Sequence, residues 1–130
     1  MGNHHSRHSR QDPFLEALAG GHKPDYKTMS LCKLVRRIVQ TALTGEVADE
    51  ILQDLAVLEV QPAPNAGRLM VVLMQGRLTA DTSLDDIHAR LDRVQGLLRS
   101  EIAQSTARKR TPELAFMVMR RPAQSPEVQP

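Results

Sequence analysis

The sequence predicts a single α+β domain in which a three-stranded sheet carries its helices on one face. The length of 130 residues, with 41% apolar residues, fits one small domain. Apolar residues follow a helical period in two long segments, and they cluster in three short runs that are typical of strands. Read along the chain, these segments give the order α-β-β-α-kink-α-β.

The first helix is predicted from apolar residues at helical spacing, which are Leu31, Leu34, Val35, Ile38, Val39 and Ala42. Thr28 or Ser30 can cap its start, and Gly45 stands where a left-handed C-terminal cap is common. The opposite side of the helical wheel carries Lys33, Arg36, Arg37 and Gln40. We therefore expect a helix with one buried face and one basic face.

Two strands are predicted to follow this helix. Leu55–Val60 and Leu69–Met74 are apolar runs of strand length, and the second is apolar on both faces. Between them, Pro62–Gly67 is rich in residues that favour turns. Because the connection is short, we expect the two strands to pair antiparallel.

A second helical segment is predicted to begin at Thr82 or Ser83, each of which precedes an aspartate by three residues, as in a capping box. Its buried stripe comprises Leu84, Ile87, Leu91 and Val94. In an uninterrupted helix Leu97 would point away from this stripe. We therefore expect a kink at Gly96, which would redirect the apolar residues that follow it toward the core.

A third strand is predicted at Leu114–Met119, directly after Pro112, because the residue before a proline disfavours helix. Beyond the predicted elements, residues 1–27 and 121–130 lack a sustained apolar period, and we expect both to be disordered tails. The folded domain is accordingly predicted at residues 28–120.

The composition excludes several classes of protein. Three aromatic residues and no tryptophan argue against modules that stack bases on exposed rings. A single cysteine, Cys32, allows neither an internal disulfide nor a paired-cysteine zinc site, and it favours a reducing, cytoplasmic location. The longest apolar run, Leu69–Met74, is far too short to span a membrane.

Catalysis and metal binding are not expected. His88 lies at helical spacing from Asp85 and Asp92, which could orient an imidazole, but the chain offers no nucleophile, phosphate loop or metal set beside it. The amino-terminal histidines His4, His5 and His8 could bind a metal weakly, yet a flexible polar tail explains them equally well. We therefore predict a protein that is not an enzyme and needs no cofactor.

The element order, with a glycine between the last two predicted helices, resembles the type II KH fold, although the G-x-x-G loop that grips single-stranded RNA is missing. Val94–Ile102 and Ala107–Phe116 resemble the signature of the bacterial ribosome-binding factor A family. In that family an Ala-x-Gly kink precedes an apolar-Arg-Ser turn, and a basic segment enters the last strand through Pro-Glu-Leu-x-Phe. The resemblance covers about residues 29–120. The chain departs from the family pattern at Val94, in the turn Pro62–Gly67 and at Met119.

The resemblance implies a monomeric assembly factor that binds the free small ribosomal subunit and its ribosomal RNA, assists late maturation of that RNA and is linked to cold adaptation. The charge distribution permits this function. The net charge is only +2, but residues 99–121 hold six basic residues against two acids. The candidate RNA-binding residues are Lys33, Arg36, Arg37, Gln95, Gly96, Arg99, Arg108, Lys109 and Arg110. The alternative is a protein-interaction module on the same KH-like scaffold, which binds a partner through the open face of its sheet without contacting RNA.

Overall fold

The computed structural model describes residues 25–122 of the chain. They form α1 (Tyr26–Gly45), α2 (Glu50–Gln53), β1 (Ala56–Pro62), β2 (Arg68–Met74), α3 (Leu84–Ser105) and β3 (Glu113–Met119). The strands lie in the order β1-β2-β3; β1 is antiparallel to β2, and β3 is parallel to it. The predicted α+β class and three-stranded sheet are confirmed. No helix within residues 25–122 has the length and apolar character that a membrane crossing requires.

The core lies between one face of the sheet and the two long helices. Side chains alternate between the faces of a strand, and on the central strand β2 the residues Leu69, Val71 and Leu73 are fully buried. α1 packs mainly on β1, and α3 packs on β3. The other face of the sheet is apolar but partly exposed, since Met117 and Met119 of β3 retain 48% and 42% of their accessible surface.

The ends of α1 differ from the prediction. The helix begins two residues before Thr28, because the carboxylate of Asp25 accepts a 2.7 Å hydrogen bond from the Thr28 amide and caps the first turn. This hydrogen bonding lowers the pKa of Asp25. At the other end Gly45 is the last helical residue and has no left-handed backbone conformation, so its predicted role as a cap is wrong. The amides of Glu46 and Val47 both donate to the carbonyl of Ala42 instead.

The sequence pattern does not predict the short helix α2, because four residues are too few to show a helical period. Asp49 caps it by accepting hydrogen bonds from the amides of Ile51 and Leu52. The same carboxylate forms an ion pair with Arg90 of α3 at 3.0 Å, and Arg90 also pairs with Asp86. These carboxylates raise the pKa of Arg90, with Asp49 making the larger contribution. The start of α2 is thereby fixed to α3.

The predicted kink that divides α3 at Gly96 is wrong, because the helix is continuous from Leu84 to Ser105. Its fully buried residues are Ile87, Leu91, Leu98 and Ile102, whose spacings of four, seven and four residues place them on one face of an uninterrupted helix. Leu97 is 40% exposed, as an uninterrupted helix requires. The start of the helix agrees with the prediction, since the Ser83 hydroxyl accepts from the Asp86 amide.

Candidate nucleic-acid interface

The basic face of α1 is exposed as predicted. Its cations Lys33, Arg36 and Arg37, which we call the helix cluster, line a surface depression of about 460 Å³ together with Gln40 and Thr41. The depression belongs to the side of α1 opposite the buried residues Val35 and Val39. None of the three cations forms an ion pair with another residue in 25–122, so their charges are not neutralised within that part of the chain.

Gln40 positions this helix rather than presenting a free polar group. Its Oε1 accepts a 2.9 Å hydrogen bond from the amide of Val57 on the edge strand β1. A β-bulge between Val57 and Glu59 interrupts the pairing of β1 with β2 beside this contact. Sequence periodicity places Gln40 on the solvent side of α1, and it cannot reveal a partner 17 residues further along the chain.

The second basic group lies on the segment between α3 and β3. Arg108, Lys109 and Arg110, which we call the loop cluster, are all exposed. The end of this segment is fixed, because Pro112 is buried and the Glu113 amide donates a 3.0 Å hydrogen bond to the carbonyl of Gly67. No ion pair within the described residues involves the loop cluster. The predicted position on a connecting segment is confirmed.

Gln95 and Arg99 hold this segment in place. The Nε2 of Gln95 donates a 2.8 Å hydrogen bond to the carbonyl of Leu114 on the edge strand β3. The guanidinium of Arg99 donates to the carbonyls of Thr111 and Pro112 at 3.2 and 3.3 Å. Their side chains therefore orient the loop cluster through the backbone that follows it. Direct contact of Gln95 and Arg99 with RNA stays a prediction.

Gly96 is exposed in the middle of α3, and a Cβ built on it would meet no heavy atom within 4 Å. A close crossing of two helix backbones is therefore not the reason for this glycine. Because no close helix crossing occurs here, valine is accommodated at position 94, where the family pattern has alanine. Val94 packs against the core from an unbroken helix. An RNA contact at Gly96 stays a prediction.

The structure brings together the members of each cluster, but no hydrogen bond or ion pair between described residues joins the helix cluster to the loop cluster. The two clusters belong to different helix–strand pairs, because α1 packs on β1 whereas the loop cluster enters β3. An RNA that contacts both clusters must therefore extend from α1 to the segment that precedes β3.

The sequence offers two candidate sets for metal binding or thiol chemistry, the amino-terminal histidines and Cys32. Within residues 25–122 no group of three or more His, Cys, Asp or Glu side chains could hold a metal ion. The histidines His4, His5 and His8 lie outside the described residues. Burial raises the pKa of the Cys32 thiol, which disfavours the reactive thiolate.

Comparison with known proteins finds similar structures but no similar sequences. No family model and no curated protein matches this chain. The crystal structure of ribosome-binding factor A from Thermus thermophilus superposes with a TM-score of 0.59 at 19% identity, over 72% of this chain and 97% of that one. A homology model of the Thermus thermophilus factor, fitted into the cryo-EM map of its 30S complex, gives 0.53 at 21% identity, over 67% of this chain and 89% of that one.

A third similar structure was solved by NMR. It is a Thermotoga maritima protein provisionally assigned as a ribosome-binding factor A, and it superposes with a TM-score of 0.59 at 16% identity, over 79% of this chain and 96% of that one. At these identities the comparisons establish a shared fold, and this fold is the one that the motif around Gly96 and Pro112 implies.

Proposed function

We propose that this chain is a ribosome-binding factor of the ribosome-binding factor A family, which binds the free small ribosomal subunit through its ribosomal RNA and assists late maturation of that RNA. The loop cluster is the observation that carries this proposal. Three consecutive cations are exposed on a segment whose following backbone is fixed to α3 and to Gly67, just before β2. The likeness in fold to structures of ribosome-binding factor A, one of them fitted into a map with 30S, supports the same conclusion.

The physical basis of the binding is the release of counterions from phosphates. Each cation that neutralises a phosphate releases condensed ions, so affinity falls steeply as salt concentration rises. A segment that is already ordered loses little conformational entropy when it docks. Because the loop cluster has no ion pair within residues 25–122, no internal salt bridge there must break before RNA binds.

The proposed role requires no catalytic group and no cofactor. We place the protein in the cytoplasm as a monomer, and we take its link to cold adaptation from the family likeness. The helix cluster provides a second surface for phosphate contacts, because Lys33, Arg36 and Arg37 share one exposed side of α1.

The test is a charge-removal variant, R108Q/K109Q/R110Q, assayed for binding to purified small subunits over a series of salt concentrations. We expect weaker binding at moderate salt and a log–log salt slope that is shallower by about 2 to 3, since each phosphate contact contributes about 0.7 to 0.9. Circular dichroism and thermal melting should stay unchanged. The matched control is K27Q/R68Q/R93Q, which removes three exposed cations outside the clusters.

Unchanged binding at every salt concentration would exclude the loop cluster as the docking surface. The helix cluster variant K33Q/R36Q/R37Q then becomes the decisive measurement. Unchanged binding in both variants contradicts RNA docking through these two clusters.

One observation favours a second function, that of a protein-interaction module. The open face of the sheet exposes Met117 and Met119 to 48% and 42% of their surface, and Leu58, at the bulge of β1, is 40% exposed. Methionine-rich surfaces adapt to apolar partners. A partner held there would bind with little dependence on salt, so a salt slope near zero would favour this second function over RNA binding.

A further inference from the structure

A third group of cations lies at the opposite end of β3 from the loop cluster. Arg77 follows β2, whereas Arg120 and Arg121 follow β3, and the parallel register places the ends of the two strands side by side, with Met74 opposite Met119. We call these three arginines the carboxyl-end cluster. The sequence pattern places two of them in a basic region but does not connect them with Arg77.

The backbone that carries this cluster is rigid. Gln75 is 1% exposed, and its amide N–H donates to the carbonyl of Met119 at 3.0 Å. Its side chain accepts from the Arg121 amide at 3.0 Å and donates to the carbonyl of Thr82 at 2.9 Å. One buried side chain thus joins the end of β3 to the loop that contains Arg77.

The loop itself is held from a second direction. The carboxylate of Asp54 accepts hydrogen bonds from both the amide and the hydroxyl of the buried Thr79, at 2.8 and 2.9 Å. The Thr79 hydroxyl oxygen in turn accepts from the amide of Gly76 at 3.1 Å. These bonds fix the residues on both sides of Arg77. The backbone of the loop therefore loses little conformational entropy when a ligand binds.

The charges of the cluster are available to a ligand. Arg77 and Arg120 are exposed, Arg121 is half-buried, and none of the three forms an ion pair within residues 25–122. Within residues 25–122 the neighbouring acids are Asp54, whose carboxylate is occupied by Thr79, and the exposed Asp81. Three guanidinium groups against these two acids leave the cluster positive. The planar guanidinium fork matches the geometry of phosphate oxygens and binds them bidentately.

We infer that the carboxyl-end cluster is a further phosphate-binding site, which holds a stretch of RNA backbone distinct from the one at the loop cluster. The seven residues of β3 separate the two clusters by about 23 Å at the usual strand rise. A single protein domain would thereby fix two segments of an RNA relative to each other. This inference rests on the proposed function, because it assumes that RNA is the polyanion bound.

The test compares the carboxyl-end variant R77Q/R120Q/R121Q with the loop variant R108Q/K109Q/R110Q and with a variant that carries all six of these substitutions. The control is K27Q/R68Q/R93Q. The Arg121 substitution keeps the backbone N–H that bonds to Gln75, so the fold is retained. Each full-length protein is titrated against purified small subunits and against fluorescein-labelled polyuridylate over a series of salt concentrations.

We expect the carboxyl-end variant to bind both probes more weakly, with a salt slope shallower by about 2 on polyuridylate. Its loss should add to that of the loop variant in log Kd, because separate sites act independently. A carboxyl-end variant with the affinity and slope of the unmodified protein overturns the inference and leaves the proposed function standing.

Three further outcomes are informative. Weakened binding without a change in slope on either probe overturns the inference, because it means that the arginines contact an uncharged or protein surface. If the unmodified protein binds polyuridylate but not small subunits, the proposed function fails, and the polyuridylate titration alone decides whether the carboxyl-end phosphate site exists. If it binds neither probe, both are overturned.

Discussion

At the scale of single residues, three glutamines within residues 25–122 act on backbone groups of other segments. Gln40 satisfies an amide of β1, Gln95 a carbonyl of β3, and Gln75 both an amide and a carbonyl. Unpaired buried or strand-edge backbone groups are costly, so a side chain that reaches them stabilises the arrangement of two elements. Within residues 25–122 no buried side-chain nitrogen or oxygen lacks a partner.

The first prediction concerns Gly96. Since a Cβ there meets nothing and α3 is continuous, Gly96→Ala should stabilise the protein by about 0.5 to 1 kcal/mol through the higher helix propensity of alanine. Urea unfolding measures this difference. The control is Gly76→Ala, whose Cβ would overlap the carbonyl and carboxylate of Asp54, and it should destabilise. A destabilised Gly96→Ala protein would show that the helix does bend closely around this position.

The second prediction concerns two carboxylates at the ends of the long helices. Glu101 of α3 raises the pKa of Glu46 by hydrogen bonding and by charge repulsion. A carboxyl group with a raised pKa contributes most to stability below its unfolded value of 4.5, and this contribution is lost as pH rises through the folded value. Glu46→Gln should therefore raise Tm at pH 7 and change it little at pH 4.

The measurement is thermal melting at both pH values. Glu101→Gln should have the same effect, and the double variant should gain no more than either single variant, because one repulsion is being removed. Equal gains at pH 4 and pH 7 would contradict the assignment to charge.

At the scale of elements, α3 has two roles, which its buried face and the flank of that face perform. The buried face packs Leu91 and Leu98 against the sheet. The flank directs Gln95 and Arg99 to carbonyls at the start of β3, where they cover part of an otherwise open strand edge. The helix therefore stabilises the core and positions the loop cluster at the same time.

The third prediction tests the straight helix. Leu91→Ala should cost about 2 to 5 kcal/mol, because it leaves a cavity in the core. Leu97→Ala is the matched control and should cost far less, since Leu97 is 40% exposed. Denaturant unfolding compares the two proteins. Similar losses at both positions would restore the kinked arrangement in which Leu97 turns toward the core.

At the scale of the whole molecule, two hydrogen bonds involve residues just outside the predicted domain limits. Asp25 caps α1, and the amide of Arg121 bonds to the buried Gln75. Both residues fall outside residues 28–120. Each contact lies at a boundary that periodicity cannot locate, because neither residue is apolar.

The fourth prediction follows from these boundary contacts. A chain of residues 25–122 should melt at the same temperature as the full chain, because it retains both contacts. A chain of residues 28–120 should melt lower, because it loses the Asp25 cap and the Arg121 amide. Differential scanning calorimetry on the three chains measures this. If the 25–122 chain melts well below the full chain, residues outside it contribute to the core.

Local sequence patterns were sufficient to predict the α+β class, most of the buried residues of the two long helices, a helix cap at Thr82 or Ser83 and the exposed loop cluster. Apolar period, capping chemistry and consecutive charges are all visible within a few residues. The predicted kink is wrong because Leu97 and Leu98 are both apolar, and packing alone selects which of two adjacent leucines is buried.

The tertiary structure alone decides the roles of polar side chains that contact segments distant in sequence. Arg99 carries the charge of an RNA-binding residue, yet its guanidinium bonds to carbonyls 12 and 13 residues away. Arg77 and Arg120 come together because β3 pairs parallel to β2, and no local pattern specifies that pairing. The physical reason is that hydrogen bonds and electrostatic interactions depend on the distance between groups in space. These distances are set only when the core has packed.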